Sequence, residues 1–93
     1  MRRHGEYKPP GGKLVVADFE VVNGCLMDVR ITGDFFLFPD DAIHVIASAL
    51  NGAAADAEPE EWADLILHAL NPQVEMLGFG PDDVAEAVRR GLQ

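Results

Sequence analysis

The sequence predicts an α+β fold, a small antiparallel sheet covered by about three helices, and three observations carry that prediction. Two stretches of strand composition flank Asn23-Gly24, and three later segments, opening near Pro39, Pro59 and Pro81, repeat apolar residues at helical spacing. A hairpin alone is marginal in water, so its apolar face must be covered by those helices. The 93 residues, 48% of them apolar, suffice for one domain with one core, without disulfide or metal. Along the chain, that single domain divides into a basic arm at 1–13, a hairpin with an aromatic strand at 14–38 and a helical part at 39–93.

The hairpin is the clearest element. Leu14 to Val22 has strand composition, and Cys25, Met27, Val29 and Ile31 alternate with Leu26, Asp28, Arg30 and Thr32. A two-residue Asn23-Gly24 loop would set Phe19 against Asp28 and Ala17 against Arg30, apolar beside polar. A three-residue loop, Val22-Asn23-Gly24, pairs Val21 with Cys25, Phe19 with Met27, Ala17 with Val29 and Val15 with Ile31. The expectation is therefore a type I turn with a G1 bulge and Gly24 at positive φ.

Residues 1–13 have no periodicity, and Pro9-Pro10 before Gly11-Gly12 marks extended backbone entering a turn. After the hairpin, Phe35-Phe36-Leu37-Phe38 is uninterrupted in its apolarity, which predicts core burial on both sides, as an extension of the second strand or as a third strand. Pro39-Asp40-Asp41 opens a helix with Ile43, Ile46, Ala47 and Leu50 on one face and Asn51-Gly52 at its end. A second helix from Pro59-Glu60-Glu61 carries Trp62, Leu65, Ile66, Ala69 and Leu70, and Asn71-Pro72 stops it. Val74 to Phe79 is short and extended, and Gly80-Pro81-Asp82-Asp83 begins a third helix with Val84, Ala87 or Val88, and Leu92 inward. The acid pairs at all three helix starts are read as capping and dipole residues rather than acid-base catalysts.

Charge narrows the partners. The net charge of −9 argues against nucleic acid or an anionic membrane, and no segment approaches ~18 continuous apolar residues. Arg2, Arg3, Lys8 and Lys13 against Glu6 give residues 1–13 a balance of +3, leaving −12 on the remainder. The arm is the one positive region of an acidic chain. For Arg2 and Arg3 a solvated terminus and a contact role stand equally open; Lys8 and Lys13, bracketing the Pro-Pro-Gly-Gly stretch, lean towards an anion contact. A single cysteine permits no internal disulfide, which is compatible with a reducing cytoplasm.

The run EYKPPGGKLV, the hairpin with NG at its tip, the closing RITGDFFLFP and the later GFGPDDVAEAVRRGL together resemble the C-terminal accessory domain of lipoate-protein ligases across nearly the whole chain. That resemblance implies a fold similar to the iron-sulfur scaffold and sulfur-acceptor proteins, with helices on one face of a small sheet. It also implies a function: an accessory subunit, non-catalytic and inactive alone, that docks on a separate catalytic subunit and supports ATP-dependent activation of lipoate to lipoyl-adenylate. The lipoyl carrier protein, whose lysine is modified, is then an indirect partner. ATP and lipoate belong to the complex, and no cofactor is expected on this chain alone. A chain holding only the accessory domain fits a stand-alone subunit and an excised domain equally well.

Within this reading Lys13, with Lys8 second, is the expected phosphate or partner contact, held by Gly11 and Gly12. The resemblance places the partner interface at Tyr7, Asp34 and Phe35. Gly11-Gly12-Lys13 is not a P-loop, because Tyr7 stands where the first glycine is needed, Leu14 replaces the Ser or Thr, and a strand rather than a helix follows. As a point charge at a strand entrance, such a lysine can still reach a phosphate bound by another subunit.

The competing reading is a non-enzymatic sulfur-carrier or iron-sulfur assembly adaptor using Cys25. One cysteine cannot hold a cluster alone, and Cys25 falls on the apolar row, which favours a small buried side chain. His4, His44 and His68 are too scattered for a metal site, and His44 and His68 are expected at the surface or its boundary. Phe35, Phe36 and Phe38 are expected in the core, with a partner-facing role open for one of them, and Trp62 is expected in the core rather than at a contact.

Overall fold

The structure, a computed structural model, describes residues 2–93. Its hairpin is built from β2 (Val15–Val22) and β3 (Cys25–Gly33), joined by Asn23-Gly24 alone, both at positive φ (51° and 77°). Val22 faces Cys25, Val21 faces Leu26 and Glu20 faces Met27, which corrects the expected three-residue loop. Two positive φ angles define a primed turn, whose twist matches the flanking strands.

The requirement that apolar residues share a face is nevertheless met, by a bulge inside the sheet. The register shifts so that Asp18 faces Arg30 and Ala17 faces Ile31, and Asp28, at φ 49°, lies in the displaced segment. Before the bulge Leu26 points inward; after it Val29 and Ile31 do, all three buried with Val15, Ala17 and Phe19. The extra residue expected at the turn thus sits at Asp28–Val29, on a residue type that tolerates the left-handed region.

The second correction concerns the arm. Arg2–Tyr7 is a strand, β1, antiparallel to β2 in a three-stranded sheet of order β1-β2-β3. Arg2, His4 and Glu6 face Glu20, Asp18 and Val16, while the alternate positions Arg3, Gly5 and Tyr7 face Phe19, Ala17 and Val15. That inner row lacks a run of large apolar residues, so alternation gave no signal. Arg2 is no free terminus: its guanidinium donates to Asp28 Oδ2 at 2.8 Å, and Glu20 lies 4.0 Å away.

One face of this sheet carries α1 (Ala42–Leu50), α2 (Pro59–Ala69) and α3 (Pro81–Gly91), with α3 on β1 and β2, α1 on β3 and α2 against both other helices. Trp62, Phe19, Leu26, Ile46, Leu50, Ile66, Val84 and Val88 are fully buried between the layers. Trp62 also donates its indole N–H to the Ala54 carbonyl at 2.9 Å. Pro59 and Pro81 occupy first turns, as expected, and Asp83 accepts the Gly80 backbone N–H at 2.8 Å. Asp41 stands at the start of α1 without a side-chain capping bond; Ala42 N–H reaches the Pro39 carbonyl instead.

The aromatic run is the third correction. Phe36–Phe38 forms β4, which pairs with β5 (Glu75–Leu77) in a separate two-stranded sheet. Of the run only Leu37 is buried; Phe35 is half-buried, while Phe36 and Phe38 are 53% and 57% exposed. A strand places successive side chains on opposite faces, so four consecutive apolar residues cannot all enter one core.

Candidate functional site: the Lys13 turn and the aromatic strand

The three motifs singled out in the sequence meet at one end of the main sheet. Tyr7, Val15 and Gly33 are neighbours across β1, β2 and β3, and the segments leaving this row are the Lys8–Lys13 turn and the Asp34-Phe35 step. Gly12 N–H closes the turn onto the Pro9 carbonyl at 2.9 Å, with Pro10 second and Gly11 third at φ 72°, the residue pattern of a type II turn. Lys13 N–H then donates to the Gly78 carbonyl at 2.8 Å, and Asp34 N–H to the Leu14 carbonyl at 3.0 Å. Phe35 stacks on Phe79 with ring centroids 3.8 Å apart and an interplanar angle of 21°. GGK, GDFF and GFG are therefore locked together by main-chain bonds and one aromatic pair.

Lys8 and Lys13 are exposed, and among the described residues neither is in a salt bridge. Arg2, Arg89 and Arg90, by contrast, all hold carboxylates. Asp34 is exposed beside Phe35, and Tyr7 is half-buried beneath Arg90, whose guanidinium carbon lies 4.6 Å from the ring centroid. Arg90 is in turn fixed to Glu86 at 3.0 Å, and Glu86 also accepts from Arg89; these hydrogen bonds, that of Arg89 foremost, hold the Glu86 carboxyl down at about 2. At the start of α3, burial pushes the Asp83 carboxyl up despite its bond to Gly80.

Sequence reasoning missed two parts of this surface. Gly78 and Phe79 anchor Lys13 and Phe35; the GFG motif carries these residues in the sequence, but not their contacts with GGK and GDFF. Phe36, Phe38 and Leu77 form an exposed apolar face beside them, with Phe36 directly opposite Leu77.

No family model matches the chain. Over 76 residues it is 34% identical to lipoate-protein ligase A subunit 2 of Thermoplasma acidophilum, covering 82% of this chain and 77% of that protein. The chain belongs to the lipoate-protein ligase A subunit 2 family. Its fold is similar to that of a chain in the solved archaeal lipoylation system of Thermoplasma acidophilum, which comprises a bipartite lipoate protein ligase and its E2 lipoyl domain. The TM-score is 0.71 at 27% identity, with 96% of this chain and 93% of that chain covered. The chain is thus an accessory ligase subunit in lipoylation, as the motif resemblance implied.

In this ligase subunit Cys25 sits half-buried at the hairpin tip, bridged to Ala54, while Leu26 takes the fully buried place that the alternation had offered to Cys25. Among the described residues no group of His, Cys, Asp and Glu is arranged to hold a metal, and no helix is long and apolar enough to cross a membrane. His44 and His68 are exposed, as expected, and His68 donates to the Asp64 carbonyl at 2.7 Å.

Proposed function

We propose that this subunit docks on a separate catalytic subunit in the cytoplasm and completes its site for ATP-dependent activation of lipoate. The observation that carries this reading is the fixing of Lys13: its backbone is bonded to Gly78, yet its ammonium is left without a carboxylate among the described residues. A cation whose main chain is anchored and whose ammonium is not neutralised suits an anion supplied by a partner. With ATP and lipoate bound by the catalytic subunit, that anion is the nucleotide phosphate, and Lys13, seconded by Lys8, stabilises charge as pyrophosphate departs. The lipoyl carrier protein enters afterwards, accepting the lipoyl group from the adenylate on its lysine.

In this reading the chain acts by completion, supplying charge to a site that the catalytic subunit builds. The test is reconstitution. Catalytic subunit alone should form lipoyl-adenylate slowly, and addition of this chain should restore the rate, saturating at one-to-one stoichiometry. A catalytic subunit at full rate alone and indifferent to this chain would end the proposal.

A further inference from the structure

The sheet formed by β4 and β5 has two unlike faces. Leu37 is buried and its partner Met76 half-buried against the core, whereas Phe36, Phe38 and Leu77 on the opposite face are 53%, 57% and 58% exposed. Phe36 and Leu77 lie directly across from one another, and Phe38, two residues along, projects to the same side. Two aromatic rings and a leucine, each more than half in water on one small sheet, form a clustered apolar surface of the kind that marks an interface centre.

We propose that this face is the surface on which the catalytic subunit docks, a step that rests on the function proposed above and specifies where the two chains meet. Continuity with the Lys13 turn selects that occupant. Leu77 immediately precedes Gly78, whose carbonyl holds Lys13, and Phe36 immediately follows Phe35, which is stacked on Phe79. A partner seated on Phe36, Phe38 and Leu77 is therefore brought beside Lys13 by the same pieces of main chain that position the lysine.

Charge argues against a second copy of this chain. Asp34 and Asp40 flank β4, and Glu75 opens β5 opposite Phe38. Self-association through this face would bring together the acidic rims of two chains, each of net charge −9. The fitting partner has an apolar centre with basic residues around it.

The experiment measures binding of the full chain to the purified catalytic subunit of the same organism by calorimetry, with sedimentation of each chain alone. Phe38→Ser and, separately, Leu77→Ser test the two strands. Val22→Ser, an exposed apolar residue at the hairpin tip, is the control at the other end of the main sheet. Both test variants should weaken binding by about tenfold or more with unchanged circular dichroism and melting temperature, and the control should bind as wild type. Wild-type affinity in both test variants, with adenylation still restored by this chain, would overturn this surface while leaving the proposed function standing. Absence of any binding by the wild type would remove both. A wild-type self-dimer broken by Phe38→Ser would assign the face to a second copy and overturn the proposal.

Discussion

Lys13 is held through its main chain by Gly78, the lysine N–H lying 2.8 Å from the glycine carbonyl. The contact is close on both sides, because a Cβ on Gly78 would stand 2.6 Å from Lys13 Cγ, and Gly78 has a φ of 88°. Gly78→Ala should therefore do two things at once. It should cost about 1–2 kcal/mol from the left-handed backbone alone, and it should push the lysine stem off its position. Thermal melts give the first, and adenylation in the reconstituted ligase gives the second. Normal stability and rate together would show that the turn does not depend on this contact.

How much of this was legible beforehand depends on where each signal resides. Helix positions were readable because Pro59, Pro81 and the apolar stripes act locally, and Trp62, Ile66, Val84 and Val88 indeed form the core. The same-face rule was sound, but two placements of one extra residue satisfy it, at the loop or at Asp28, and only the three-dimensional twist chooses. β1 was invisible because its inner row is Arg3, Gly5 and Tyr7, whose fit depends on what α3 presents. At the candidate site the motifs GGK, GDFF and GFG are each visible in the sequence, while the Lys13–Gly78 bond that joins two of them is not, since nothing in sequence joins positions so far apart.

The bulge yields its own test. Asp28 has a φ of 49° and accepts Arg2 at 2.8 Å, so it joins β1 to β3 across the outer face. Asp28→Val places a β-branched residue in the left-handed region and removes the ion pair, with an expected loss of about 1–3 kcal/mol. Asp28→Asn, which tolerates that backbone, should lose much less. Denaturant midpoints of the pair decide it: equal losses would show that charge, not backbone, governs the position.

Packing of β1 rests on Gly5. A Cβ there would lie 1.9 Å from the Ala87 carbonyl oxygen and 2.5 Å from the Gly91 nitrogen, both backbone atoms of α3 that cannot rotate aside. Gly5→Ala is expected to cost about 3 kcal/mol, lowering Tm by roughly 10–20 °C, despite adding a single methyl. A melt within a few degrees of wild type would show that α3 slides freely on the sheet.

His4 supplies the pH dependence. Its Nδ1 is 2.6 Å from Asp18 Oδ1 and its Nε2 2.6 Å from Glu6 Oε2, an arrangement in which both nitrogens donate only in the imidazolium form. The Glu6 hydrogen bond first, then that of Asp18, raises its pKa above 6.5. Since the folded value is the higher one, the stabilisation is fully present below the unfolded pKa and is lost as pH rises through the folded pKa. As pH rises above the ordinary histidine value of 6.5 and through the raised folded value, the wild-type Tm should therefore fall relative to His4→Gln. A ring titration by NMR showing a His4 pKa below 6.5 would contradict the bracket.

Lys13→Ala is the variant that separates chemistry from docking. Forming lipoyl-adenylate expels pyrophosphate, so negative charge grows on the departing phosphates; transfer from preformed adenylate to the carrier lysine has no pyrophosphate to stabilise. A lysine acting on those phosphates contributes to the first step only. Loss of one charge-assisted contact is worth about 1.5–3 kcal/mol, or roughly tenfold to a hundredfold in rate. The expected outcome is a fall of that size in adenylation with transfer largely intact, and a smaller fall of the same kind for Lys8→Ala. Both half-reactions must be measured at matched occupancy of the complex, because a docking defect lowers each step that needs the complex and yields to higher subunit concentration. Lys13 is bonded through its main chain to Gly78, next to Leu77, and is not one of the apolar residues of that face, so Lys13→Ala should bind the catalytic subunit with little change while Leu77→Ser binds weakly. Equal losses in both steps, cured by excess subunit, would make Lys13 a docking residue. No loss in either step would leave it a solvated cation with no part in the reaction.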